Sequence, residues 1–199
     1  MNSLAKIYEG WNGYQATLVH AIAPLNPQQL VWRPGINLRS VGELARHISL
    51  GRLSWFMRMD APGSSDLASQ INVWETDNDG NRHIVEDAIA ITEQAAELVL
   101  WLDATWQMIE KTLESWGVSD LAKSYRYVWN GETYAISRQW TIWRIMAHDI
   151  HHGGELSLML GMQGISAFEL SDLGGHIILP PLAGLPMDGK SERAPAISL

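Results

Sequence analysis

Cysteine is absent from the 199-residue chain. Disulfides, thiolate metal ligands, a cysteine nucleophile and thiol–disulfide exchange are therefore excluded. Basic residues are scarce as well, with 14 Lys and Arg against 22 Asp and Glu and a formal net charge of -8. An acidic surface repels phosphate, so nucleic acid and anionic membranes are not expected partners. No run approaches the roughly 18 uninterrupted apolar residues of a spanning helix. Lys6, Glu9, Asn12 and Gln15 break the first 22 residues, which leaves no signal-peptide pattern, and a cytoplasmic location is the expectation. Several catalytic signatures are also missing: a glycine-rich phosphate loop, a Gly-x-Ser-x-Gly elbow, a His-Glu-x-x-His protease motif and the Glu-x-x-His pairs of a di-iron bundle.

What is present is a chain able to fold. Hydrophobic residues make up 46% and charged residues 18%, a balance that offsets chain entropy by burial. With no internal repeat and no linker, the expectation is one domain over residues 1–199, with a core at about 3–164 and an irregular tail over 165–199. Leu4, Ile7, Trp11, Tyr14, Leu18, Ile22 and Leu25 recur at steps of three and four and predict a first helix. The segment 26–39, with Pro27, Pro34 and Gly35, reads as a connection from which Trp32 tucks into the core.

Ser40 and Glu43 form a capping-box pattern that opens a second helix, buried through Val41, Leu44, Ala45, Ile48, Leu53, Trp55 and Phe56 and stopped at Pro62-Gly63. A long polar connection over 64–82 follows, with one helical turn of its own. The third helix is expected from about Val85 to Trp116, with Ile91, Ala95, Leu98, Leu102, Trp106, Ile109 and Leu113 on one face. Tyr125, Tyr127 and Trp129, then Asn130-Gly131, then Thr133, Tyr134 and Ile136 predict a small β-hairpin between helices three and four. The fourth helix spans about Ser137 to Leu160, with Trp140, Trp143, Ala147, Ile150 and Leu158 on its apolar sides. The fold class is all-α.

Polar residues cluster in the middle of that otherwise apolar last helix. Residues four apart in a helix are offset by about 40° and about 6 Å, so His148 and His152 can aim their rings at one point. A metal bridging them needs a third ligand from another element, and His47, beside the apolar stripe of helix two, is the best placed. A histidine pair at this spacing also arises by chance, as a cap or a simple hydrogen bond. His151 competes with His152, since it lies three residues from His148; the two point about 100° apart and cannot both join the site. Asp149 and Glu155 either orient an imidazole N–H or make surface ion pairs. Arg144 either orients an anionic substrate or closes a structural ion pair. Glu43 is accounted for by capping, and His20, His83 and His176 read as surface or locally bonded.

The segments Trp32-Arg33-Pro34, Ser40 to Ile48 and His148 to Leu156, in this order, resemble the DinB-like superfamily, which includes YfiT-like proteins. The resemblance implies an up-down-down-up four-helix bundle, commonly a homodimer. Its metal ligands map onto His47, His148 and His152 and hold one divalent ion, nickel or zinc first and iron or manganese next. It further implies a metal-dependent enzyme that activates a thiol or water. Transfer of a low-molecular-weight thiol to an electrophile leads and hydrolysis is second; the alternative is a non-catalytic metal-binding stress-response protein or structural dimer.

Overall fold

The computed structural model describes residues 3–89 and 94–167. Within them the chain is mostly helical, with two small antiparallel hairpins. A 3-10 turn at Leu4–Lys6 leads into α1 (Glu9–Ile22), followed by α2 (Pro27–Val31), α3 (Val41–Arg58), α4 (Ser64–Ala68), α5 (Ala95–Ser115) and α6 (Arg138–Met162). Strands β1 (Trp74–Thr76) and β2 (Arg82–Ile84) pair between α4 and α5. Strands β3 (Ser124–Trp129) and β4 (Glu132–Ser137) pair between α5 and α6.

Local chemistry explains the boundaries. At the start of α3 the Ser40 hydroxyl accepts from the Glu43 amide at 3.2 Å and the Glu43 carboxylate accepts from the Ser40 amide at 2.6 Å. Such a cap contributes about 1 kcal/mol. Asn26 and Gln29 repeat the device at α2, with Pro27 in its first turn. The Ser137 hydroxyl accepts from the Trp140 amide and starts α6 directly out of β4. In the turn between β3 and β4, Asn130 and Gly131 have φ of 51° and 77°, the paired left-handed geometry that favours Asn-Gly.

The four long helices share one core. α3 packs against α5 and α6, and α1 packs against the same two. Leu18 and Ile22 of α1, Ile48 and Leu53 of α3, Leu102 and Ile109 of α5, and Ile142 and Leu156 of α6 are fully buried in it. Truncating such a side chain to alanine costs about 2–5 kcal/mol. Trp32 packs half-buried against this cluster. The two hairpins are tied to each other. The Asn81 side chain meets both backbone polar groups of Val128, at 2.7 and 3.2 Å, and the Asp79 carboxylate accepts from the Asn130 and Gly131 amides at 2.9 and 3.1 Å.

Four expectations are corrected. The third long helix starts at Ala95, not Val85, because Glu86–Ala88 forms a 3-10 turn that carries Glu86 toward α3; Ile91 lies outside the described residues. The polar stretch 64–82 contains α4 as its helical turn, but it also supplies β1 and the start of a second hairpin. Ile7 is 64% exposed, since it leaves the 3-10 turn before α1 begins. The apolar sides read for the last helix are largely outward: Trp140, Trp143, Ile150 and Leu158 are 44–66% exposed and Ala147 is also exposed. Its inward stripe is Ile142, Ile145, Asp149, Leu156 and Leu160. The pairing of Asp149 with the buried Arg52 accounts for that rotation. The tail from residue 168 onward, including His176, lies outside the described residues. Among the described residues no helix is long and apolar enough to cross a membrane.

Candidate metal centre

His47 lies in the second turn of α3, and His148 and His152 lie one turn apart in α6. Because α3 and α6 pack side by side, the three rings meet: their centroids stand 4.9, 4.7 and 4.4 Å apart. One ring nitrogen from each falls within 4.8 Å of the others. All three residues are partly buried. Gly51, one turn after His47, makes the approach possible. A Cβ there would stand 2.8 Å from Cε1 of His148, inside ordinary contact distance, so a bare Cα lets the ring lie against α3.

The hydrogen bonds assign the ring nitrogens. Nδ1 of His47 lies 2.8 and 2.9 Å from the two carboxylate oxygens of Glu86, and Nδ1 of His152 lies 2.7 Å from Oε2 of Glu155. A nitrogen facing a carboxylate carries the proton, which leaves Nε2 of each ring as a lone pair. Nε2 of His47 and Nε2 of His148 are 3.2 Å apart. The lone pair on Nε2 of His47 draws positive charge into that gap, either a proton carried by Nε2 of His148 or an ion held between the two rings. Two imidazoles sharing a tetrahedral ion at about 2.0–2.1 Å would hold their nitrogens roughly 3.3 Å apart. Three imidazole nitrogens converging at this spacing fit a divalent transition ion.

A carboxylate stands behind each ring. The Nδ1 atom of His148 and the Oδ1 atom of Asp149 are both buried without a hydrogen-bond partner and face each other at 3.8 Å. Oδ2 of Asp149 accepts from the Arg52 guanidinium at 2.8 Å and from the Trp11 indole at 2.8 Å. Arg52 also donates to the Gln15 side chain at 2.7 Å and the Leu102 carbonyl at 3.3 Å. Arg52 and Asp149 are both fully buried, so this network joins α1, α3, α5 and α6 directly behind His148.

Electrostatics keep these groups in the required forms. Burial pushes the Asp149 carboxyl up, but the Arg52 charge and the hydrogen bonds to the carboxylate together outweigh it and hold the pKa below the usual aspartate value. Glu86 behaves alike: burial raises it, and His47, Arg39 and Arg46 together bring it below normal. Burial raises Glu155 too, and its bond with His152 together with the nearby His152, His151 and Arg39 charges reverses the sign. Burial lowers the His152 pKa, and the Glu155 bond only partly opposes this, so the ring is neutral at pH 7 and able to act as a ligand. Burial pushes the Tyr14 hydroxyl up to about 12; it stays protonated and donates to the Ile150 carbonyl at 3.3 Å.

The other residues singled out from sequence fall elsewhere. His151 is exposed and turns to Glu155 at 3.3 Å; with His152 and Glu155 it forms a second, more exposed group of possible ligands. The Arg144 guanidinium stacks over Trp55 at 4.6 Å and Trp140 at 5.4 Å. Glu43 is held by its cap and by Arg33. His20 is exposed on α1, and His83 lies half-buried in β2. Two participants are absent from the sequence reading. Arg52 continues the apolar stripe Val41, Leu44, Ala45, Ile48 one turn further, and a charge on a buried stripe is a readable signal. Glu86 has no such signal, because its role depends on a contact 39 residues away. Beyond Glu86 opens a pocket of 230 Å³ lined by Arg33, Arg39 and Arg46 together with Glu43, Glu86 and Asp87, whose formal charges cancel.

A mostly helical fold with three imidazoles converging between an early and a late helix defines a class: helical proteins with a histidine-lined candidate metal centre. The model of the DinB superfamily matches residues 13–156, and the chain belongs to that superfamily. Two solved structures share the fold. A DinB-like protein from Bacillus cereus has 11% sequence identity and a TM-score of 0.60, with 83% of this chain and 95% of that one covered. A DinB-like protein from Bacillus subtilis has 12% identity and a TM-score of 0.54, with 81% and 94% covered. Among curated proteins no match is found.

Proposed function

We propose that this chain is a DinB-like metalloprotein that holds one divalent transition ion, nickel or zinc, through His47, His148 and His152. The supporting observation is the 3.2 Å separation of two Nε2 atoms, one of which is fixed as a lone pair by Glu86. Glu86 and Glu155 hold the His47 and His152 rings in the ligating tautomer, and Asp149, anchored by Arg52, stands behind His148. Three protein ligands leave a coordination position open, as in catalytic rather than structural sites. An ion there supplies one chemistry: it lowers the pKa of a thiol or water that enters the open position, giving a nucleophile at neutral pH.

The reaction we assign first is transfer of a low-molecular-weight thiol to an electrophile, with hydrolysis second. The architecture we assign is the up-down-down-up four-helix bundle of α1, α3, α5 and α6 in one domain, acting as a homodimer in the cytoplasm. Metal analysis tests the centre. Purified protein should carry about one divalent ion per chain and His148→Ala should lose it; wild-type protein that neither retains nor takes up an ion overturns the reading. A panel of thiols and electrophiles then tests the reaction.

A second reading follows from the ligands lying on only two helices, α3 and α6, which an ion would staple together. In that reading the protein is a non-catalytic metal-binding or stress-response scaffold. Chelation separates the two: a large fall in melting temperature with no turnover in any assay supports the scaffold.

A further inference from the structure

From the imidazoles the seam between α3 and α6 runs outward in regular steps. On α3, His47, Gly51, Trp55 and Arg58 follow one another; on α6, His152, His148, Arg144 and Trp140 do so at intervals of four. Both series place side chains along one face. At the outer end the Trp55 ring stands 5.8 Å from Trp140 and 5.5 Å from Tyr127 of β3. Arg144 lies over Trp55 at 4.6 Å, and Arg58 lies over Trp55 at 4.9 Å and Tyr127 at 5.6 Å. One indole therefore carries two guanidinium groups.

No carboxylate among the described residues pairs with either cation. Arg58 directs its N–H groups to the Ser54 carbonyl and hydroxyl and the Arg82 carbonyl. Asp77 acts on Arg58 only from beyond ion-pair range, and its carboxylate is turned into its own loop by Asn81 and the Asp79 amide. Arg144 is exposed and has no hydrogen-bond acceptor among the described residues. This is unusual in a chain with 22 acids and 14 basic residues. Two like charges on one half-buried indole repel, and the attraction of each for the ring offsets this only in part. Arg144 keeps its N–H donors for a carboxylate, which a guanidinium grips in a bidentate pair, and Arg58 adds its charge and the donors that Ser54 and Arg82 leave.

We propose that Arg144 and Arg58, placed over Trp55, form a binding site for a small organic carboxylate. The anchor itself is independent of the metal reading. That reading enters only in placing the far end of the ligand: Arg144 precedes His148 by one turn, a rise of about 6 Å, so a substrate held by its carboxylate reaches the three imidazoles with its other end. The substrate class is then an acid, bound charge-first at the outer end of the seam.

Calorimetric titration of the metal-loaded full chain with benzoate, and with its neutral isostere benzamide, tests this. Benzoate should bind saturably with one site per chain, and benzamide at least tenfold more weakly. Arg144→Gln should weaken benzoate at least tenfold with melting temperature and metal content unchanged. Arg58→Gln should weaken it in the same direction. His148→Ala should lose the ion and still bind benzoate, which separates failure of the metal centre from failure of the anion site. The proposal is overturned by no saturable benzoate binding, by equal binding of benzamide, by an Arg144→Gln protein that binds benzoate like wild type, or by loss of binding in His148→Ala alone.

Discussion

Two arginines of α3, Arg52 and Arg58, reach the same helix seam and live in opposite surroundings. Arg52 is fully buried and fully engaged: Asp149, Gln15 and the Leu102 carbonyl take its donors. Arg58 lies further out beside Arg144, over aromatic rings and without a carboxylate. A buried cation in this fold has a carboxylate built in, whereas at the open end of the seam Arg58 has only the Ser54 and Arg82 oxygens and a countercharge is left to solvent or to a ligand. The inner region is therefore structural support for His148, and the outer region is available for recognition.

The sharpest way to break this comparison is to remove the inner cation. Arg52→Ala strands the Asp149 carboxylate in the core and should destabilise the chain by about 3–5 kcal/mol, whereas Arg52→Met combined with Asp149→Leu should regain most of that. Urea unfolding measures both; an Arg52→Ala protein as stable as wild type would show that the buried pair is not needed.

Next in size is Glu86→Gln, which frees the His47 ring. Metal affinity should fall about 10- to 100-fold, the usual effect of losing a partner behind a ligating histidine, and competition with a chelator reads it directly. Gly51→Ala should displace the His148 ring rather than α3, because its Cβ meets the ring at 2.8 Å. A drop in metal affinity of about tenfold is expected, with unfolding changed by less than about 1 kcal/mol. The smallest effect belongs to the outer cation. Arg144→Ala should alter stability by no more than about 0.5 kcal/mol, and a larger loss would mean that the outer region is also structural.

Much of this was legible in local sequence. The Ser40–Glu43 cap, the Asn130-Gly131 turn and the four-residue spacing of His148 and His152 act over single turns, and each appears where expected. The orientation of α6 was not legible from periodicity, because apolar residues occur on both of its sides and the buried Asp149 decides which faces inward. Strands β1 and β2 are three residues each, too short to show alternation, although the Asp77 to Asn81 cluster marks their turn. Arg52 stands at a core position that its stripe predicts, but its partner on α6 lies 97 residues away. Glu86 depends on the same kind of remote meeting, so a helix drawn through residues 85–94 concealed it.

The clasp between the two hairpins bears on the aromatic end of the seam. Asp79 and Asn81 grip the tip of β3 and β4 through backbone groups, and Tyr127 sits one residue before the Val128 that Asn81 holds. The wall of that surface is thus set in place by the fold before anything arrives. A visitor landing there forfeits little affinity to the ordering of a loop, so even a weak contact can be selective.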